Sequence, residues 1–534
     1  MLLALFNASV MTGLSRIQSD AVRIKFEVGL VERTPFPLVD AAEAVDLARL
    51  ARRAWSLKRS LDTRTEASHA FMLPALLQVD GETITARAVA WAERVHASES
   101  ELAAIQAEID ARCFDLYGID EADRRAITDG FGVCIDASGG MTDADPDAEG
   151  VTDAEPEVES EADASALVRE LMSWAVGVAV GRFDVRLAIG SRGLPDEPDP
   201  FDPLPVCSPA MLADDDGWPL SSAPTGYPLA FPETGILVDD VGHPQDLTAA
   251  VRAVFDLVFG TDADTWWGEA AAQLDSKDHD LRTWLSSSFF EHHLKRHSKS
   301  RRKAPVMWHL GIPSGRFGVW IYAHRLTRDS FFQIQNDIVA PKLAHEERRL
   351  TSLGEAAGGD FSPLERKELA LQQGFVDELR ALLDDIKLVT PLWNPTLDDG
   401  VVLTMAPLWR LVPQYRVWQK ELKTKWDEIA SGTYDWAHLS MHLWPERVVP
   451  ECARDRSLAI AHGLEDAFWV EGTDGKWTAR SAPTRPTEEL VREHASPAVK
   501  AALNSLLDAP AASAGSGRSR GRRAASAAGR GGAR

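Results

Sequence analysis

Apolar residues along the chain recur mainly at spacings of three and four, a pattern that predicts a largely helical protein with a few short strands. The opening MLLALFNASVMTGLSRIQ has near-helical spacing, and in the RIKFEVGLVERTPFPLV that follows, Ile24, Phe26 and Val28 alternate with charged residues, so a helix and then a strand are expected. From Ala41 to about Thr128 the pattern is helical again. Leu102, Ile105, Ile109, Cys113 and Leu116 repeat with acids between them, which predicts a helical hairpin arm or short coiled coil broken near Pro74 and Gly81. ALVRELMSWAVGVAVGRF predicts a strongly apolar helix from about Ala166 to Val180, and the Pro/Asp-rich passage to about Gly235 reads as surface loops. Ile236 to Val238 reads as a short strand, Pro244 to Gly260 as a helix, and the region of Trp266 and Trp267 as another. PVMWHL (Pro305 to Leu310) and FGVWIYA (Phe317 to Ala323) predict two strands joined by the turn-prone Gly311, Pro313, Ser314 and Gly315. Beyond them, Ser330 to Leu350 and Pro363 to Ile386 are helical, the second placing Leu364, Phe375, Leu379, Leu382, Leu383 and Ile386 on a mostly shared face. A mixed segment runs from Trp393 to Leu507. The expected fold class is mixed α+β, predominantly helical and multi-domain.

Length and composition add bounds. A chain of 534 residues with 45% hydrophobic content can bury substantial cores, and the length suggests roughly three domains. Seventeen tryptophans, most of them after Gly260, point to a more aromatic core or binding surface in the C-terminal half. No apolar run approaches the roughly 20 residues needed to cross a bilayer, and Leu2 to Val10 is short and interrupted by Asn7, so a cytoplasmic location and no membrane partner are expected. Cys113, Cys134, Cys207 and Cys452 lie far apart without a CxxC pair, which supports neither a zinc site nor a disulfide framework.

Charge is distributed unevenly. The formal charge is -24, from 57 basic and 81 acidic residues, and the stretch from Asp136 to Asp163 supplies 11 acids with no Lys or Arg. Such a composition predicts a disordered acidic linker over about 135–165. Against this background KRHSKSRRK, from Lys295 to Lys303, packs six Lys/Arg into nine residues. It reads either as a solvated helix end leading into a core hairpin or as a surface for a polyanion. The tail from Ser513 carries Arg518, Arg520, Arg522, Arg523, Arg530 and Arg534 among Gly, Ala and Ser, and a disordered basic segment over 511–534 is expected.

Chemical motifs are scarce. Neither GxGxxG nor GxxxxGK[ST] appears, and no GxSxG elbow stands out. His345 and Glu346 start an HExxH-like string, but Arg349 occupies the second ligand position. His293 and His297 are one helical turn apart, yet Lys295, Arg296 and Lys299 would repel a cation there, so no metal site is expected. Glu365 with Lys367 and Glu421 with Lys423 form ExK triplets of the nuclease type, a weak signal in a long chain.

Longer strings carry a more specific likeness. They are ELMSWAVGVAVGRF (Glu170 to Phe183), GILVDD (Gly235 to Asp240), FFEHHLKRHSKSRRKAPVMWHL (Phe289 to Leu310), VWIYAHRLTRD (Val319 to Asp329) and VAPKLAHEERRL (Val339 to Leu350). Three more are DDGVVLTMAPLW (Asp398 to Trp409), YDWAHLSMHLWPERV (Tyr434 to Val448) and DRSLAIAHGLEDAFWV (Asp455 to Val470). With them, most of the chain resembles the C-terminal region, target-recognition and C-terminal domains, of the PglX-type adenine-specific DNA methyltransferases of BREX phage-resistance systems. The first forty residues resemble the segment that enters the target-recognition region after the methyltransferase core.

Pattern, composition and resemblance together give segments at 1–40 (start of the target-recognition-like region), 41–134 (helical arm), 135–165 (disordered acidic linker), 166–390 (helical and β-hairpin recognition domain), 391–510 (C-terminal α+β domain) and 511–534 (disordered basic tail). One departure from the family bears on mechanism. These enzymes carry an FxGxG-like donor turn and an NPPY loop that holds a flipped adenine. This chain has neither, and its Asn394 and Pro395 are followed by Thr396 and Leu397. The expectation is that Met1 falls downstream of a catalytic domain, as in a split gene, a truncated copy or a misplaced start codon. No catalytic residue and no cofactor bound by this chain are then expected, S-adenosylmethionine belonging to a complete family member.

On that reading the partner is double-stranded DNA, together with a separately encoded methyltransferase module and other BREX proteins. Lys295, Arg296, Lys299, Arg301, Arg302 and Lys303 would contact phosphates, and Arg316 at the hairpin turn could reach further. Trp308, Trp320 and Tyr322 read as core aromatics more readily than as base-stacking platforms. The competing readings are an interaction subunit docking other defence proteins through its helical arm from Ile84 to Thr128, and a nuclease resting on the ExK triplets.

Overall fold

Helix punctuation in the sequence sets where the elements begin. Thr83 caps a 34-residue helix by accepting the Ala86 amide at 3.1 Å, and that helix stops at Gly118, whose φ of 65° suits a residue without a Cβ. The computed structural model describes residues 1–18, 34–130, 163–274, 281–299, 302–356 and 362–509. Contacts divide the chain into two units, Met1–Phe231 with Ala250–Leu281, and Pro232–Ala249 with Arg282–Arg534. The strand expected at Ile24 to Val28, nearly all of the acidic segment expected over 135–165 and the basic tail from Ser513 lie outside the described residues.

In the first unit the helices are α1 (Leu2–Asn7), α2 (Ser9–Gln18), α3 (Ala41–Asp62), α4 (Ile84–Tyr117), α5 (Glu121–Gly130), α6 (Ala164–Ala179), α7 (Leu247–Phe259, of which Ala250 onward belongs here) and α8 (Ala263–Gln273). The helical hairpin expected from periodicity is α3 and α4, with Pro74 and Gly81 in the irregular connection between them. Leu47, Leu50 and Leu57 of α3 bury against Ile105, Ile109, Cys113 and Phe114 of α4, with Ala4 and Leu5 of α1 closing the same cluster. Helix α6 is strongly apolar, and from Ala166 onward all of it but the ion-paired Arg169 and Glu170 is buried. Its one buried hydroxyl, Ser173 Oγ, donates to Glu66 at 2.6 Å, and Glu66 also accepts from Arg182, so the buried carboxylate is satisfied. The Pro/Asp-rich passage forms no regular strand or helix beyond a single short turn, as its composition predicts, yet it is pinned: Arg52 donates to Asp199 at 2.7 Å and Ser56 to Glu197 at 2.9 Å.

The second unit is built on a three-stranded antiparallel sheet of order β1 (Ile236–Val238), β5 (Gly318–Tyr322), β4 (Met307–Gly311). Leu237 pairs with Trp320 and Trp308 with Ile321. Every residue of the three strands is buried, so both faces of the sheet are covered, which explains why these strings read as continuous apolar runs. Trp308, Trp320 and Tyr322 are inside, where no base can stack on them. His309 stacks on Trp320 with ring centroids 3.9 Å apart and shares a 2.7 Å hydrogen bond between Nδ1 and the Tyr415 hydroxyl. Complete burial pushes the imidazole down to about 3, so it stays neutral.

Helices α9 (Leu281–Ser287) and α10 (Phe289–Arg296) lead into β4 through the basic run. After β5 come α11 (Ser330–Gln333), a π-helical stretch over Ile334–Val339, α12 (Ala340–Ala356), and α13 (Pro363–Val389), which opens with a capping box between Ser362 and Glu365. Phe375, Leu379, Leu382, Leu383 and Ile386 are buried, whereas Leu364 in the first turn is 75% exposed and leaves the apolar face. Then α14 (Val401–Met405) and α15 (Arg416–Ser431) precede a set of short helices around Val448, Cys452, Leu458 and Phe468, with a ribbon of β6 (Trp469–Glu471) and β7 (Trp477–Ala479). The described residues are mixed α+β and predominantly helical. No described helix is long and apolar enough to cross a membrane.

Candidate nucleic-acid interface

The basic run is shaped by the residues on either side of it. Phe289, Phe290 and His293 anchor α10 in the core, leaving Lys295 exposed and Arg296 half-buried in the last turn, where cations oppose the negative end of the helix dipole. His293 Nε2 accepts the backbone amides of Val306 at 3.1 Å and Met307 at 3.0 Å, tying the end of α10 to the entrance of β4. That nitrogen is committed to backbone amides.

Between these anchor points the chain folds into a short hairpin of its own, β2 (Ser298–Lys299) and β3 (Arg302–Lys303), continued by the Ala304 amide donating to His297 O at 3.0 Å. Ser300 and Arg301 at its tip lie outside the described residues. Ser298 stands opposite Lys303 and Lys299 opposite Arg302, so successive pairs face opposite sides.

This register sorts the cations. Lys303 turns back to the body of the unit, where its ammonium pairs with Glu421 of α15 and sits 5.9 Å from the Trp418 ring centroid. Lys299 and Arg302 are both exposed and directly opposed on one face. Like charges at a directly opposed position repel, and among the described residues no carboxylate neutralises either one. An anion lying across the pair would relieve that repulsion. Lys295, one turn before the hairpin, is the third exposed cation.

Arg316 is placed elsewhere. Its guanidinium lies 4.1 Å from the Phe375 ring centroid and donates to Leu371 O at 3.1 Å, while Ser314 beside it donates to Glu378, so the β4–β5 turn is fastened to α13. The structure therefore brings Lys295, Lys299 and Arg302 to one exposed run and gives Lys303 and Arg316 packing roles.

Glu346 and three residues of the ExK triplets have structural partners. Glu346 is buried and accepts from Lys342 at 2.8 Å and from Gln372 Nε2 at 2.7 Å. Glu365 accepts the Ser362 amide at 2.8 Å as half of the capping box, Glu421 takes Lys303, and Lys423 takes Asp427 at 2.7 Å. Asn394 and Pro395 sit in an irregular turn after α13.

A buried charge network stands out that periodicity does not reveal. Arg282 donates to Asp239 at 3.1 Å and to Asp246 at 2.8 Å, and Lys342 donates to Asp240 at 2.7 Å. Desolvation, opposed by Arg282 and aided by Asp246 and Asp240, pushes the Asp239 carboxyl up to about 6. The only trace of this network in the sequence is the pair of aspartates directly after an apolar strand.

No protein-family model matches the chain, and no curated protein matches it.

Proposed function

We propose that this chain is the DNA-recognition and scaffold portion of a site-specific adenine-specific DNA methyltransferase of bacterial phage defence. It acts in the cytoplasm on double-stranded DNA, and the donor-binding and base-modifying chemistry, with S-adenosylmethionine, belongs to a methyltransferase module whose donor-turn and NPPY motifs these 534 residues lack. The observation that carries the reading is the opposed, unneutralised pair Lys299 and Arg302, with Lys295 beside it, on a chain whose net charge of -24 would otherwise repel a polyanion. Phosphate contacts of this kind position a protein on the duplex without selecting a sequence.

Docking of other defence proteins through the helical arm is the lesser reading, because α4 spends its apolar stripe, from Ile84 to Phe114, inside the first unit. The nuclease reading is weaker still, since Glu365, Glu421 and Lys423 are held in structural contacts.

Fluorescence anisotropy with a labelled duplex tests the proposal. The wild-type chain binds the duplex and the K295A/K299A/R302A variant does not; equal binding by the two would contradict it.

A further inference from the structure

The first unit holds a cavity of about 420 Å³ between α3, α4 and the Pro-rich strap, a volume within the usual range of small-molecule sites. Its walls are of two kinds. Met72, Leu73, Leu77, Leu194 and Pro195 supply an aliphatic surface. Arg59 of α3 and Arg94 of α4 supply two guanidinium groups, 35 residues apart in sequence and brought together by the helical hairpin.

Both arginines are held by aromatic rings and not by carboxylates. Arg59 lies 5.7 Å from the Trp55 ring centroid and Arg94 5.2 Å from that of Trp91, with a 3.5 Å contact from Arg94 Nη1 to Gln78 O. Among the described residues neither has a carboxylate within ion-pairing distance. The one acid on the cavity wall, Glu197, accepts a hydrogen bond from Ser56 Oγ at 2.9 Å. Two cations against one anion leave the lining with a net charge of +1. The strap along one side of the cavity is tied to α3 by the Ser56–Glu197 and Arg52–Asp199 bonds.

We propose that this cavity binds a small organic anion with an aliphatic body, its carboxylate or phosphate between Arg59 and Arg94 and its carbon chain against Met72, Leu73, Leu77 and Leu194. Arginine suits either head group, since the planar guanidinium matches the geometry of both. Beside the polar lining of Ser56, Ser60, Thr63 and Gln78, the apolar side of the wall is aliphatic and holds no aromatic ring, which favours an alkyl chain over a planar ring system. The site lies wholly in the first unit and does not depend on the DNA-binding reading of the second.

Titration calorimetry of the full chain with octanoate, octyl phosphate, octanol and octylammonium tests the proposal. Saturable one-to-one binding of at least one of the two anions is expected, with little or none for octanol and octylammonium; which anion binds identifies the head group. R59Q and R94Q should each weaken it about tenfold or more, the loss of one charge-assisted contact. Because either change could disturb packing on Trp55 or Trp91, L194D provides a second check: Leu194 is 60% exposed, so the fold tolerates the change while the added carboxylate repels the ligand. Absence of saturable anion binding, octanol binding as tightly as the anions, or undiminished affinity in folded R59Q, R94Q and L194D would each overturn the proposal.

Discussion

Replacing Asp239 by asparagine should change how stability depends on pH, and the size of the change follows from where the carboxyl sits. It stands just past β1, its side chain 11% exposed, with Arg282 Nη1 at 3.1 Å and the carboxyls of Asp246 and Asp240 nearby. Burial outweighs the arginine, and the group is pushed from 3.8 up to about 6. Because the folded value lies above the unfolded one, the folded chain holds this proton more tightly. Its contribution to stability is therefore full below about pH 4 and is lost as pH rises through about 6. A shift of roughly two units corresponds to about 3 kcal/mol. The amide introduced by D239N would be uncharged throughout, and Arg282 would keep its bonds to Asp246. The stability difference between D239N and wild type should therefore move by about 3 kcal/mol in favour of the variant between pH 4 and pH 7. Urea unfolding midpoints for both proteins at several pH values across that range measure it. A difference independent of pH would refute the reasoning, because Asp239 would then titrate alike in the folded and unfolded chains.

Further outcomes are expected in the second unit. A Cβ at Gly318 would lie 2.0 Å from His309 Nε2, and His309 is clamped by the Trp320 stack and the Tyr415 hydroxyl, so G318A should cost about 1–3 kcal/mol or more, read as a lowered thermal midpoint. R316A and K303A should lower stability modestly, by about 1 kcal/mol, while leaving duplex affinity nearly intact, since these side chains are bound to α13 and α15. The opposite pattern, stable variants with weakened duplex binding, would place them back among the phosphate contacts.

Much of the architecture was legible because local pattern and burial agree. The α6 helix, expected over Ala166 to Val180, spans Ala164–Ala179, and β4 and β5 fall within a residue or two of PVMWHL and FGVWIYA. Leu102, Ile105, Ile109 and Cys113 indicated the inner face of α4 because a 3.6-residue period survives a 34-residue helix. The β2–β3 hairpin was not legible: two-residue strands made of Ser, Lys and Arg have no apolar alternation to detect.

Partners distant in sequence were equally hidden. Lys303 and Glu421 are 118 residues apart, so a run of six cations in the sequence gave no sign that one of them faces inward. Arg316 lies in the β4–β5 turn, as its sequence position predicts, but its guanidinium packs on Phe375, a contact that local pattern does not show. The cavity of the first unit combines α3, α4 and a Pro-rich strap whose composition predicts only a surface loop. Which residues a loop lies against is a tertiary fact that local pattern does not encode.

The claim that this chain grips DNA through its small basic hairpin is tested most directly by the salt dependence of duplex binding. Three phosphate contacts, from Lys295, Lys299 and Arg302, give a slope of log affinity against log salt of about -2.7, and a fourth from Arg301 would take it to about -3.6. The account predicts a slope in that range for the wild-type chain and, for K295A/K299A/R302A, binding too weak to measure or at most the slope of about -0.9 that Arg301 alone would give. A flat wild-type response, or a slope unchanged in the triple variant, would contradict it.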